Sequence, residues 1–381
     1  MATLRYPFLR PNPPRLSEMS DRLREIEQSG LFSNYGPVNT RFEAAVIARL
    51  FGGEGVCLTV CNATTGLMIA IRAAVGWKTS ARRYALMPSY TFAATAHAAL
   101  WCGLTPLLYD VDPETWTPDL GAAETLLARH NGEIAVMVPY ATFGNGIDLD
   151  HYDRLSTAYD VPVVVDAAAS LGSQDTHGRG FGTGSRHPLV YSLHATKMFA
   201  TAEAGLIYCA DPERIDTLRK MGNFGFGQPR SATMPGLNAK LSEIGALLAL
   251  AKLEEFDQVV AHREVLAGAY REALPGFTFQ RLIGCRHAFQ FVPALVPESL
   301  AGQRDRMLAE IAARGVGAGK YFSPHLAEQP FFQEACVIDA LPVTEMLARR
   351  TLSLPMADGM TAADVYAICE IILAACRGLD A

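Results

Sequence analysis

The chain has 381 residues, of which 50% are hydrophobic and 19% charged, with a formal net charge of −6. That is enough apolar material for a sizeable core divided between a large and a small lobe, and an acidic balance without long Lys/Arg runs argues against nucleic acid as the main partner. Prolines and arginines occupy the stretch from Met1 to Pro14 where a signal peptide would carry an apolar core, and no apolar run approaches membrane-spanning length, so a cytoplasmic protein is expected.

The first predicted elements are a helix from Leu16 to Gln28, closed by Ser29 and Gly30, and an amphipathic helix from Val38 to Leu50. An α/β rhythm follows. Val56 to Val60 reads as a strand, and Cys61-Asn62-Ala63-Thr64-Thr65-Gly66 turns the chain into a helix reaching Ala74. Small and hydroxyl residues at such a turn leave backbone N–H groups free to meet a phosphate; the alternative is a plain cap by Asn62 or Thr64 with no ligand. Tyr84 to Met87 is the next strand, followed by a turn through Tyr90 and Phe92 and a helix from Ala93 to Trp101. An aromatic just past a strand end can lie flat on a heterocyclic ring, although either residue could equally be core.

The strand Pro106 to Tyr109 leads into Asp110 and Asp112, read as turn and cap residues because no third metal ligand lies near them. A helix from Asp119 to Arg129, a strand from Ile134 to Val138, a glycine-rich loop from Thr142 to Gly146 and a helix from Leu149 to Tyr159 continue the alternation. Strands alternating with helices at this spacing imply right-handed crossovers and a mostly parallel sheet. The eight cysteines are dispersed and form no C-x-x-C pair, and the histidines show no H-x-x-x-H spacing, which favours reduced thiols and gives a metal site little support.

Two residues carry the chemistry. Val161 to Val165 is a continuous β-branched run, read as a strand buried on both faces, and Asp166 stands at its carboxyl end, where open α/β sheets place ligand-binding groups. Downstream, Leu189 to Leu193 delivers Ser192 and His194 to a turn in which Lys197 precedes a second apolar strand, Leu206 to Cys209. Burial lowers the pKa of a lysine and makes its amine a nucleophile toward carbonyls, the route to a Schiff base with pyridoxal phosphate (PLP), while a carboxylate can hold the pyridine nitrogen of that cofactor protonated. Taken singly, Lys197 could be a surface residue in a hairpin loop and Asp166 a helix cap. Together, in this order, they point to the cofactor.

The remaining pattern is a helix from Pro212 to Met221, a polar loop from Gly222 to Pro235, and a segment from Gly236 to Ile244 that opens a long helix through Phe256 and on to Leu274. Beyond Phe277 the texture changes to a strand from His287 to Leu295, a helix from Ala301 to Arg314, a short strand from Gly319 to Phe322 and a closing helix from Ala362 to Ala375. The expected division is a large cofactor-binding domain over residues 1–245, with the N-terminal helices, and a linking long helix plus smaller α+β domain over residues 246–381.

The ordered motifs V-C-N-A-T-T-G-L, M-P-S-Y-T-F-A-A-T-A, V-V-V-D-A-A-A-S-L-G, S-L-H-A-T-K and G-L-N-A-K-L-S-E-I, with Y-F-S-P-H-L and T-L-S-L-P-M nearer the end, resemble the DegT/StrS-type sugar aminotransferases over nearly the whole chain. The resemblance implies an α/β, aspartate aminotransferase-like fold of type I and PLP as cofactor. By position, it implies that Lys197 forms the Schiff base and shuttles the proton, Asp166 pairs with the pyridine nitrogen, and Phe92 stacks on the ring. Ser192 with the backbone of Ala63 and Thr64 would hold the phosphate, and Asn238 would reach that phosphate from a second subunit of a homodimer. The implied reaction moves an amino group from an amino acid, L-glutamate being the expected donor, to a keto sugar linked to a nucleotide, in amino sugar biosynthesis for lipopolysaccharides or antibiotics. The alternatives are a PLP enzyme acting on a cyclitol or other non-nucleotide ketone, and a regulatory homologue without turnover. One departure stands out: Ala169 occupies the position, three residues after the aspartate, where the family usually has Gln or His beside the cofactor's phenolic oxygen.

Overall fold

The computed structural model describes residues 4–77 and 81–379. In chain order the first part contains α1 (Ser20–Ser29), α2 (Pro37–Leu50), β1 (Val56–Val60), α3 (Ala63–Val75), β2 (Tyr84–Pro88), α4 (Ala93–Trp101), β3 (Thr105–Tyr109), α5 (Leu120–Arg129), β4 (Ile134–Met137), α6 (Leu149–Tyr159), β5 (Val165–Asp166), β6 (Leu189–Ser192), β7 (Gly205–Cys209) and α7 (Pro212–Met221). The second part contains α8 (Glu243–Ala273), β8 (Thr278–Phe279), β9 (Val292–Leu295), α9 (Arg304–Ala313), α10 (Pro330–Ala335), β10 (Val337–Ile338), α11 (Pro342–Arg350), β11 (Thr351–Leu354) and α12 (Ala362–Leu379). Side chains of Asn62, Asp119, Asp148, Asp211 and Ser242 accept first-turn amides and so fix where α3, α5, α6, α7 and α8 begin.

The large sheet consists of two four-stranded halves, β1-β7-β6-β5 and β10-β3-β2-β4. Parallel bridges from Met137 to Val163 and from Tyr140 to Asp166 join them along β4 and β5. Within it only β7 runs against its neighbours, β1 and β6, because the link from Ser192 to Gly205 contains no crossover helix and a short return forces an antiparallel pair. Every other pairing is parallel, as the alternation of strands and helices implies. Alternate side chains feed two apolar layers. Leu86, Leu107, Val165, Tyr191 and Leu206 pack on one face with Phe42 and Phe256, and Val60, Met87, Leu108, Val190 and Ile207 on the other with Ile69, Ala98 and Leu218.

A second, three-stranded antiparallel sheet, β11-β9-β8, packs with α9, α12 and the end of α8 around Tyr270, Ala294, Ile311, Leu354 and Ile372. The N-terminal segment belongs to this lobe, since Tyr6 bridges Val316 and Leu9 bridges Met356. Conversely, β10 leaves it to pair with β3 of the large sheet.

Several boundaries differ from expectation. Leu16–Glu18 is a single 3-10 turn, broken from α1 at Met19, whose φ of −118° is not helical. Of the expected strand His287 to Leu295 only Val292–Leu295 is paired, and Gly319 to Phe322 contributes one bridge, Gly319 to Ser353. Asp110 and Asp112 do act as cap and turn residues: Asp110 accepts from the amides of Val343 (2.8 Å) and Thr344 (2.7 Å) at the start of α11, and Asp112 accepts from Glu114 (3.0 Å) and Thr115 (2.7 Å).

Candidate active site

Asp166 ends β5 and is 2% exposed. Its Oδ2 accepts a 2.6 Å hydrogen bond from Thr95 Oγ1 and its Oδ1 accepts from the Ala168 amide at 3.1 Å. Thr91 Oγ1 lies 3.0 Å from Thr95 Oγ1, so the two buried hydroxyls at the start of α4 form a short chain that ends on the carboxylate. Burial pushes the Asp166 carboxyl above its usual range, opposed by the Thr95 hydroxyl, the Ala168 amide and the charge of Lys197.

Lys197 sits in the return between β6 and β7, a loop fastened by backbone bonds from Leu193 to Ala204 (2.9 Å), Ala195 to Ala202 (3.1 Å), Lys197 to His194 (2.8 Å) and Thr201 to Leu193 (3.0 Å). The lysine keeps partial solvent access, yet burial of its amine pushes the pKa below the ordinary lysine value, with the Asp166 carboxylate acting in the opposite sense. Its Nζ donates to Gln290 Oε1 at 3.2 Å, not to Asp166. Amine and carboxylate therefore sense each other without forming a closed pair, an arrangement that suits a flat ring whose two ends need an amine and an acid.

The opposite end of the site is built on α3. As the first two residues of the helix, Ala63 and Thr64 have amides without an intrahelical acceptor, while Asn62 Oδ1 takes the amide of Thr65 at 2.9 Å. Gly205 pairs with Val60 on one side and Ser192 on the other. A Cβ at Gly205 would lie 2.7 Å from the Ala63 nitrogen and 2.8 Å from the Asn62 carbonyl carbon, so the glycine is what lets the helix N-terminus approach the strand end that carries Ser192. Ser192 is 9% exposed, and its Oγ accepts weakly from the His194 amide at 3.3 Å. Free amides, a hydroxyl and the positive end of a helix form a donor set suited to a phosphate.

Phe92 caps α4 beside the two threonines and is 56% exposed, so its ring is free to lie against a flat ligand. Tyr90, the other aromatic considered, is fully buried in a cluster with Phe143 and Phe322 and is core. Asn238 is exposed on an extended segment bridged to Asn223 and makes no hydrogen bond to Lys197, Asp166 or Ser192 among the described residues. The adjacent Lys240 donates to Asn223 Oδ1 (3.0 Å) and lies 4.6 Å from the Phe224 ring centroid.

Two contributors escaped the sequence reading. Thr95 carried a usable signal, since it is a hydroxyl residue in the first turn of the helix that follows Phe92. Gln290 carried none, because it reaches Lys197 across 93 residues of chain. As a donor and acceptor set, Lys197, Asp166, Ser192 and the α3 amides fit PLP.

Such a fold, a mostly parallel sheet with one antiparallel strand and flanking helices, is that of the PLP-dependent aminotransferases of fold type I. The chain belongs to the DegT/DnrJ/EryC1/StrS aminotransferase family, whose model matches residues 15–373. A crystal structure from Bacillus cereus ATCC 10987, assigned as a PLP-dependent aminotransferase, superposes with a TM-score of 0.91 at 36% identity, covering 96% of this chain and 99% of that one. The crystal structure of DesI in the presence of its TDP-sugar product gives a TM-score of 0.87 at 30% identity, covering 99% of this chain and 95% of that one. The dTDP-4-amino-4,6-dideoxy-D-glucose transaminase of Escherichia coli is 25% identical over 373 residues, 96% of this chain and 98% of that protein. The protein is thus a PLP-dependent enzyme of a sugar aminotransferase family.

Proposed function

We propose that the chain aminates a nucleotide-linked keto sugar, with L-glutamate as donor, and that a dTDP-linked 4-keto-6-deoxyhexose is the first substrate to try. The observation that carries the reading is the buried Lys197 amine set against the buried Asp166 carboxylate beyond the carboxyl ends of the central strands β5 and β6. The sugar reading is supported by DesI and the E. coli transaminase, whose names specify a TDP-sugar product and a dTDP-amino-dideoxyglucose respectively.

Bound PLP supplies an aldehyde that carries the amino group and a ring that accepts electrons from the reacting carbon. The residues divide the remaining work. Lys197 would hold the aldehyde end, and its Nζ, when free, would act as the base and acid that moves the proton between the donor's α-carbon and the cofactor's aldehyde carbon. Its depressed pKa serves that duty, since a neutral amine is available nearer to physiological pH. Asp166, steadied by Thr95, keeps the pyridine nitrogen protonated. Phe92 covers the ring, while Ser192 and the amides of Ala63 and Thr64 fix the phosphate.

Asn238 completes the phosphate site of a second copy in a cytoplasmic homodimer. Support for the dimer comes from an apolar surface beside Asn238, lined by Met68, Trp101, Met221 and Leu237, in which Trp101 is 76% exposed.

Borohydride reduction of the holoprotein followed by peptide mapping is expected to leave the pyridoxyl group on Lys197. Incubation with glutamate and a panel of keto sugars headed by dTDP-4-keto-6-deoxy-D-glucose is expected to yield an amino sugar identifiable by mass and NMR. A label on another residue overturns the site, whereas amination of a cyclitol or free ketone alone overturns the substrate.

A further inference from the structure

We propose that Gln290 is a positioning residue for Lys197: its side-chain carbonyl holds the amine whenever the lysine is detached from the cofactor. The inference rests on the reading of Lys197 as the catalytic lysine.

Gln290 is 8% exposed and its Oε1 accepts from Lys197 Nζ at 3.2 Å. Its neighbours on the connection from α8 to β9 are fastened one after another. Arg263, on α8 and 5% exposed, donates through Nη1 to the carbonyls of Phe289 (2.9 Å) and Gln290 (3.4 Å). The other face of that guanidinium is held by Asp358, 2.7 Å from Nε and 2.5 Å from Nη2. On the near side the Ala288 amide donates to Ser173 Oγ at 3.0 Å, and on the far side the Phe291 ring packs against Phe143 at a centroid distance of 5.1 Å. The Gln290 backbone is thereby fixed to the small lobe through Asp358 and to the large lobe through Ser173 and Phe143.

A carbonyl acceptor suits the task for a chemical reason. A flexible four-carbon stem would let a free amine wander among rotamers, so it needs one fixed partner. A carboxylate there would hold the lysine as an ammonium, which cannot accept a proton. An amide is neutral at every working pH and accepts from the amine in either state. Among the described residues the charge that acts on the amine is that of Asp166, and Gln290 adds a neutral acceptor from the small lobe.

The test uses protein loaded with pyridoxamine phosphate, so that Lys197 is free, together with acetic anhydride pulses across a pH series. Acetylation of the Lys197 peptide, read by mass spectrometry, gives the midpoint at which the amine becomes reactive. Because a carbonyl acceptor favours the ammonium over the neutral amine, Gln290→Leu is expected to lower that midpoint by about half a pH unit or more, and Gln290→Glu to raise it by about one unit or more. Gln290→Asn, a milder change in volume, should move it in the same direction as leucine. Opposite shifts from leucine and glutamate are a signature that a packing role would not give. If all three variants fold, keep the borohydride label on Lys197 and leave the midpoint unmoved, the positioning role is wrong. If the label lies elsewhere in the parent protein, the catalytic reading itself is what has failed.

Discussion

At Asp166 burial favours the neutral acid, while the Thr95 hydroxyl, the Ala168 amide and the charge of Lys197 favour the carboxylate. Thr95→Val removes the first-named of these and leaves the burial, so the carboxyl rises further. In the proposed role of Asp166 activity needs the ionised form, and the acid limb of the kcat/KM profile is expected to move to higher pH; an unmoved limb would mean that Thr95 does not tune the acid. Asp166→Asn, which cannot hold a protonated ring nitrogen by charge, is expected to lower kcat by about 10²- to 10⁴-fold in steady-state assays. The proximity of Lys197 and Asp166 was legible in the sequence because Asp166 ends an apolar run and Lys197 stands in the short return between two apolar strands. Gln290 was not, since nothing local marks a glutamine whose partner arrives through the packing of two lobes.

Among elements, the loop before α2 depends on a carboxylate from far along the chain. Glu243, 1% exposed at the start of α8, accepts from the amides of Val38 (2.7 Å) and Asn39 (3.0 Å), filling the N-terminus of α2 with negative charge. Gly36 leaves room for it, as a Cβ there would lie 2.7 Å from the Glu243 carboxyl carbon. Glu243→Gln keeps the shape and loses the charge, and should cost about 1.5–3 kcal/mol in urea unfolding. Gly205→Ala is expected to push α3 off the strand end and weaken PLP binding in cofactor titrations more than it lowers the melting temperature. The large sheet was legible because its strands are continuous apolar runs set between amphipathic helices. From Pro330 to Leu354 it was not: α10 has 6 residues and β10 has 2, too short for a periodic pattern, and β10 is a strand only because β3 supplies its partner.

For the molecule as a whole, Asp358 is the point where the long helix, the closing lobe and the N-terminal segment meet. It binds Arg263, lies 3.5 Å from the fully buried Lys252 and accepts from Asn12 at 3.1 Å. Burial raises its carboxyl, but Arg263 and Lys252 outweigh that and hold it below the usual carboxylate range. A carboxyl lowered in the folded state lends stability that is complete above its unfolded pKa of about 3.9 and fades as pH falls through the lower, folded value. The acid unfolding of the parent should therefore include a component below about pH 4 that Asp358→Asn lacks, and that variant should lose about 3–5 kcal/mol at neutral pH by stranding the buried Arg263 guanidinium, whereas Lys252 keeps Glu255 at 2.6 Å. If the proposed dimer forms through the apolar surface around Trp101, Trp101→Glu is expected to sediment as a monomer and to lose turnover while still melting cooperatively.

The Asn12–Asp358 contact spans 346 residues. During synthesis, then, the segment around Asn12 waits for a partner made 346 residues later, and Arg263 stays without its carboxylate until Asp358 has been made. Chains truncated just before Asp358 should be sharply more susceptible to protease around Asn12 and along α8 than the 381-residue chain.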